Sequence, residues 1–382
     1  MYKCEVIEGG HRLQRLDEIQ VARGLAIIGV LLVHATNTAL TSLDSLSTLY
    51  PLYNFIYSLG KLGTPTFIML SSFILFYTYF RRDLTPSLIS SFYKKRFKYI
   101  LIPYVVFSLF YFFVKFEMYQ FANWNEAFDR LTFLLTWGKA HPHLYFVIIS
   151  VQFYILFPFL LLLFKKVAFV RKYALFIGIF VQVLWLYLNR QYFQVDFKGS
   201  VIFSYSAYYM LGAFVGVYYD DIKLKMQQTK FRDLLIGGIV FCFGISLCFY
   251  FGYNYLSKIQ VWQSIVAYIP VLKPNNASEL FWGSYTFFAS LVVLLIANYI
   301  VRGNGKIKTF FMRIGAVSFG IYLIHPYYLM LFREWFTGSS NGLFHLQQLF
   351  TFIGVFVLSY LTVYLAFRFI PGSWIAFGKK DK

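Results

Sequence analysis

The sequence predicts an all-α, polytopic integral membrane protein of about ten transmembrane helices with its N- and C-termini in the cytoplasm. Three observations carry this. Of 382 residues, 59% are hydrophobic and 13% charged, with a mean hydropathy of +0.60; soluble chains run at roughly 45–50% apolar and about 25% charged. Apolar stretches of about 20 residues, the length that crosses some 30 Å of hydrocarbon, recur ten times along the chain. Finally, Lys and Arg are dense in every second connection and sparse in the others, as the positive-inside rule requires of alternating cytoplasmic segments.

The first stretch, 22–40, opens with RGLAIIGVLLVH. The second, 53–80, is interrupted by Gly60, Lys61, Gly63 and Pro65, so its first part is expected to be re-entrant or interfacial. The third, 99–115, follows the basic cluster Lys94, Lys95, Arg96 and Lys98, and the fourth, 144–164, follows HPHL. The remaining six lie at 173–189, 201–219, 233–253, 279–300, 312–332 and 346–368. One alternating set of segments holds 25 of the 35 Lys and Arg residues and the other holds 8, while Arg23 and Lys61 fall inside spans. An odd number of spans would break this alternation. The expected organisation is a cytoplasmic segment over 1–21, a ten-helix membrane domain over 22–370 and a cytoplasmic tail over 371–382.

Several function classes recede on these numbers. The formal charge of +19 sits in short clusters between apolar runs rather than along one face, so no nucleic-acid partner is expected. Cys4, Cys242 and Cys248 lack metal-ligand spacing and are expected to be inert; no metal is expected. Residues 1–21 are polar and no A-x-A-like site follows the first apolar run, so that run is expected to remain a membrane helix. No soluble signalling domain is visible to support a membrane sensor.

Ionisable side chains inside a bilayer are costly, and those present are functional or paired. His34 lies eleven residues after Arg23. At about 100° per residue both return to nearly one helix face, roughly 16 Å apart along the axis. His325 lies twelve residues after Arg313 in SFGIYLIHP, in a helix expected to run in the same direction, which places the two histidines at similar depth. Pro326 loosens the helix ladder beside it. An imidazole suits general-base activation of a hydroxyl, as in acyl transfer; a histidine hydrogen-bonded between helices is the structural alternative for both. Lys94, Lys95, Arg96 and Lys98 form either a phosphate-binding cluster or an anchor on anionic lipid. His141 and His143 stand where they meet an extracytoplasmic acceptor or lipid headgroups. Gln152 is a buried-amide candidate, and Ser71 and Ser72 fit interhelical hydrogen bonding.

From about Arg12 to Ile370 these segments, in this order, resemble the acyltransferase 3 family of multi-pass bacterial membrane acyltransferases. The residues that carry the resemblance are ARGLAIIGVLLVH, GTPTFIMLSS, KKRFKYILIPY, HLYFVIISVQFYILFP, YMLGAFVG and SFGIYLIHP. GTPTFIMLS and RFKYILIPY look most similar to the branch associated with O-acylation of biofilm exopolysaccharide. The resemblance implies transfer of an acetyl or other short acyl group from cytoplasmic acyl-CoA, with acetyl-CoA the expected donor, to a hydroxyl of an extracytoplasmic carbohydrate. It implies no bound cofactor, a location in the cytoplasmic membrane, and the bilayer and polysaccharide-synthesis machinery as partners. His34 matches the family's catalytic histidine and Arg23 the required arginine beside it. Arg96 matches one position of its paired-arginine motif, Lys95 and Lys98 are expected to supply further charge for donor binding, and Glu18, His325, His143, Gln152 and Ser71 are supporting candidates. The chain departs from the family pattern twice. Gln20 stands where many members have Asp, leaving Glu18 as the nearest acid, and Tyr99 replaces the second arginine of a paired motif that keeps Arg96. A transporter or flippase for a polysaccharide or lipid-linked sugar, with His34, His325 and Arg23 along its pathway, is the alternative class.

Overall fold

In hydrocarbon a backbone has only itself to hydrogen-bond, so long apolar runs rich in Leu, Ile, Val and Phe close into helices. The structure, a computed structural model, describes residues 16–269, 272–303, 305–336 and 343–380; these are helical with no strand among them. The chain forms α1 (Asp17–Ser42), α2 (Tyr50–Gly60), α3 (Gly63–Tyr79), α4 (Pro86–Arg96), α5 (Ile102–Val114), α6 (Phe116–Tyr119), α7 (Trp124–Trp137), α8 (Tyr145–Lys166) and α9 (Ala168–Lys172). It continues through α10 (Ala174–Leu188), α11 (Ser206–Val217), α12 (Tyr219–Lys225), α13 (Thr229–Lys258), α14 (Trp262–Tyr268), α15 (Pro274–Arg302), α16 (Lys306–Trp335), α17 (Phe344–Phe369) and α18 (Trp374–Phe377).

Nine helical stretches among the described residues are long and apolar enough to cross a membrane, and the protein is a multi-pass membrane protein. The remaining expected span, 201–219, is a shorter apolar helix, Ile202–Val217. Its first turn is 3-10 (Ile202–Tyr205), and Tyr208, Leu211 and Ala213 are buried in protein rather than presented to lipid. The interruption expected in the second span is a break at Lys61 and Leu62 between α2 and α3. The third span starts earlier than its hydropathy suggests. Thr85 caps α4 by accepting from the Leu88 N–H at 3.3 Å, Pro86 opens the helix, and the chain stays helical through a π turn at Phe97–Leu101 into α5.

The described residues divide into two compact units, one of Ile68–Tyr219 with Val363 onward, the other of Leu16–Phe67 with Asp220–Thr362. In the first, Phe73, Phe76, Phe153, Phe157 and Phe164 are buried, and Phe153 stacks on Tyr209 with centroids 4.1 Å apart. The Ser72 hydroxyl donates to the Tyr209 carbonyl at 2.6 Å. Gly212 makes that approach possible, since a Cβ there would lie 2.2 Å from the Met69 carbonyl oxygen.

In the second unit α1 packs against α16, α2 and α15. Its seam with α16 is parallel and runs their whole length. Asp17 pairs with Lys308 at 3.2 Å, Gly24 meets Phe311, Gln20 meets Gly315, His34 meets His325 and Thr38 meets Arg333. The helices touch through backbone in the lower half. A Cβ on Gly315 would fall 1.9 Å from the Gln20 carbonyl oxygen, and one on Gly24 2.6 Å from that of Phe311. Small residues at such contacts are how membrane helices approach without a hydrophobic driving force. A second core of Tyr250, Tyr253, Trp262, Phe281 and Tyr285 joins α13, α14 and α15, and the Tyr285 hydroxyl donates to the Leu59 carbonyl at 2.7 Å.

Candidate functional site

The parallel seam sets His34 of α1 beside His325 of α16, ring centroids 5.2 Å apart and planes tilted by 45°. His325 is fully buried. Its Nδ1 lies 2.8 Å from the Tyr322 carbonyl and 3.2 Å from that of Ile321. A carbonyl only accepts, so Nδ1 carries a hydrogen and donates it there. His34 is half-buried, and no hydrogen bond joins either of its ring nitrogens to a described residue. The cations whose charge acts on it are Lys61, at the α2–α3 break, and Arg333, on α16. Lys61 Nζ lies over the Tyr57 ring at 4.4 Å, and Arg333 bonds the Thr38 hydroxyl and the His34 carbonyl oxygen. Two imidazoles and two cations thus share one end of this unit.

Arg23 stands on the same unbroken helix as His34, eleven residues earlier and half-buried. The carboxylates near it are held in place: Glu18 is 5% exposed and pairs with Lys223 at 3.1 Å, and Asp17 pairs with Lys308. Gln20, at the family's acidic position, has a buried Oε1 with no partner among the described residues and spends its backbone on the contact with Gly315.

The other candidates lie in the first unit. Arg96 ends α4 at the π turn, its guanidinium 4.9 Å from the Tyr154 ring centroid and 5.3 Å from that of Phe92, with a buried Nε unbonded among the described residues. Cation–π contacts of this kind hold a guanidinium flat while its edge stays available. Lys95 is exposed; Lys98 is exposed too and lies over the Trp374 ring at 4.4 Å. Ser71 reaches the Tyr154 hydroxyl at 3.4 Å. Gln152 donates to the Ser200 carbonyl at 2.8 Å and accepts from the Ile202 N–H at 2.9 Å. His143 is buried; its Nδ1 meets that of His141 at 2.9 Å, and Tyr111 packs on both rings. Beside them Lys115 donates to the Ala140 carbonyl at 3.2 Å, and burial lowers its affinity for a proton. Among the described residues no group of three or more His, Cys, Asp or Glu is placed to hold a metal. Cys242 and Cys248 are free thiols, and Cys4 lies outside the described residues.

Four contributors escape a reading of the sequence. Thr38 and Arg333 were visible only as a polar residue one turn beyond His34 and a charge near a helix end. Tyr154, beneath Arg96, and Lys223, opposite Glu18, depend on pairings far apart in the chain and leave no local signal.

Comparison with known proteins agrees with this architecture. A protein of Staphylococcus aureus named "probable poly-beta-1,6-N-acetyl-D-glucosamine export protein" is 24% identical over 327 residues, covering 81% of this chain and 82% of that one. A Staphylococcus epidermidis protein of the same name is 22% identical over 273 residues, covering 69% and 67%. No solved structure matches the chain. The profile of the family described as "Acyltransferase domain", the acyltransferase 3 family, matches residues 16–364. That match takes in both histidines of the α1–α16 seam and runs from the start of α1 into α17, and the chain belongs to this family of membrane acyltransferases.

Proposed function

We propose that the protein transfers an acetyl or other short acyl group from cytoplasmic acyl-CoA to a hydroxyl of an extracytoplasmic carbohydrate, with His34 as the general base. The observation that carries this reading is the His34–His325 pair, two imidazoles 5.2 Å apart on parallel helices, with no described residue hydrogen-bonded to the His34 ring nitrogens. In the reaction the acceptor hydroxyl gives its proton to His34 and its oxygen attacks the thioester carbonyl. The new C–O bond forms, the C–S bond breaks, and the CoA thiolate leaves with the proton from the imidazolium. His325, its Nδ1–H held by the Tyr322 carbonyl, orients the neighbouring ring and takes part of the positive charge.

Charge asymmetry supports cytoplasmic termini in the cell membrane, so that α1 and α16 run outward and present their histidines toward the acceptor's side. Arg96 with Lys95 and Lys98 is proposed to bind donor phosphates by charge-assisted hydrogen bonds, and Arg23 to act with His34 on the same helix. The relatives' name supports a poly-N-acetylglucosamine or similar polysaccharide as acceptor, and its synthesis machinery as a partner.

That same name favours a second reading, export of the polysaccharide itself. Proteoliposomes given acetyl-CoA and a β-1,6-linked N-acetylglucosamine oligomer separate the two. Ester formation with release of CoA supports transfer; movement of unmodified oligomer across the bilayer with no ester formed supports export.

A further inference from the structure

Arg333 closes the upper end of the α1–α16 seam. Its guanidinium donates from Nε to the Thr38 hydroxyl at 3.1 Å and from Nη2 to the His34 carbonyl oxygen at 3.2 Å. Both acceptors belong to α1, while Arg333 belongs to α16, the helix that carries His325. In a helix the carbonyl of residue 34 already accepts from the N–H of residue 38. The guanidinium therefore adds a second, charge-assisted bond at the very peptide that bears the histidine. Thr38, one turn on, supplies the other anchor, and the rigid planar guanidinium meets the two acceptors with separate fixed N–H donors, an orientation that a freely rotating lysine ammonium does not impose. The backbone-to-backbone contacts at Gly24 and Gly315 hold the lower half of the seam, but they lie about 15 Å or more below His34 along α1. At the His34 level the other contact across this seam is the ring contact with His325.

We propose that Arg333 is a positioning residue for acyl transfer: it pins the His34 peptide to α16 and so fixes the His34 imidazole against that of His325. Its importance for turnover rests on the reading of His34 as base, whereas the pinning itself does not. An arginine near the end of a membrane helix also suits snorkelling to lipid phosphate, and the experiment distinguishes the two.

The full-length protein and its R333A, R333K, T38V and T38V/R333A variants are reconstituted in proteoliposomes. Modification of His34 by diethyl pyrocarbonate is followed by peptide mass spectrometry, with His143 of the other unit as internal reference. Pinning predicts that R333A raises the His34 rate several-fold and leaves His143 unchanged, with R333K and T38V between R333A and wild type. With acetyl-CoA and the β-1,6-linked N-acetylglucosamine oligomer, kcat in R333A should fall by about tenfold to hundredfold, the loss expected for a displacement of about 1 Å. The donor KM should be unchanged, the acid limb of the kcat–pH profile should move in R333A, and R333K should recover part of the loss. Because Thr38 and Arg333 act through one contact, the double variant should be no slower than R333A. An unchanged His34 modification rate in R333A overturns the proposal, as does a double variant whose loss is the product of the single losses. Wild-type turnover in His34→Ala would instead overturn the base reading, with the modification rates still deciding whether Arg333 pins the helix. If R333A fails to fold, R333K and T38V carry the same comparison.

Discussion

Gly315→Ala perturbs the α1–α16 seam at its tightest point. The added Cβ would lie 1.9 Å from the Gln20 carbonyl oxygen and 2.7 Å from its carbon, and the obstacle is backbone rather than a rotatable side chain. Reaching the 3.4 Å at which ordinary contact begins requires the two backbones to part by about 1.5 Å at that level. Overpacking of this kind typically costs about 1–3 kcal/mol. A gap of 0.5–1 Å opened beside it forfeits about a quarter to a half of each dispersion contact, so the upper end of that range, about 3 kcal/mol, is the expectation. Because α1 and α16 are continuous helices, the displacement passes up the seam to His34 and His325, where a shift of about 1 Å lowers turnover by about a hundredfold. The assay pairs thermal stability of the purified variant in detergent with CoA release in proteoliposomes. Gly244→Ala is the control, since a Cβ there meets nothing within 4 Å; it should be neutral or gain up to about 1 kcal/mol from helix propensity. A Gly315→Ala protein with wild-type melting temperature and turnover would refute the seam as the device that positions the histidines.

The remaining predictions concern single side chains. His325→Ala, which leaves His34 in place but removes its ring partner, should lower kcat by about tenfold to a thousandfold with little change in donor KM; a rise in donor KM alone would assign His325 to binding. Arg96→Ala should raise the KM for acetyl-CoA by about tenfold or more while Lys95→Ala, at an exposed position, changes it by less than about threefold; isothermal titration with CoA checks both. Gly212→Ala, whose Cβ would lie 2.2 Å from the Met69 carbonyl oxygen, should destabilise the first unit by about 1–3 kcal/mol, read as a lower melting temperature.

Helix number and position were largely legible because hydropathy reports directly on burial in lipid. Ile202–Val217 is the instructive exception: its apolar run looks like a span, yet Tyr208 and Ala213 are buried against protein, and composition does not distinguish lipid from packed helices. The two histidines could be set at similar depth from the spacings Arg23–His34 and Arg313–His325, since offsets of eleven and twelve residues on parallel helices differ by about 1.5 Å. That the helices touch was not legible, because it depends on Gly24 and Gly315 meeting backbone across nearly three hundred residues of chain. Arg96 illustrates the same limit. Its charge in KKRFK is plain, but the Tyr154 face beneath it and the π turn after it follow from tertiary packing and carry no local pattern. Gln152 shows the limit again: a polar amide in an apolar run is plain, but its two partners, the Ser200 carbonyl and the Ile202 N–H, lie 48 and 50 residues away in the chain.

The central claim is that His34 is the base for acyl transfer. Its most direct test is single-turnover CoA release by wild-type and His34→Ala proteins in proteoliposomes, with acetyl-CoA binding measured on the same samples. A loss of about a hundredfold to ten-thousandfold in the chemical step, with donor affinity and melting temperature unchanged, is the predicted result. Turnover by His34→Ala at the wild-type rate would contradict the account.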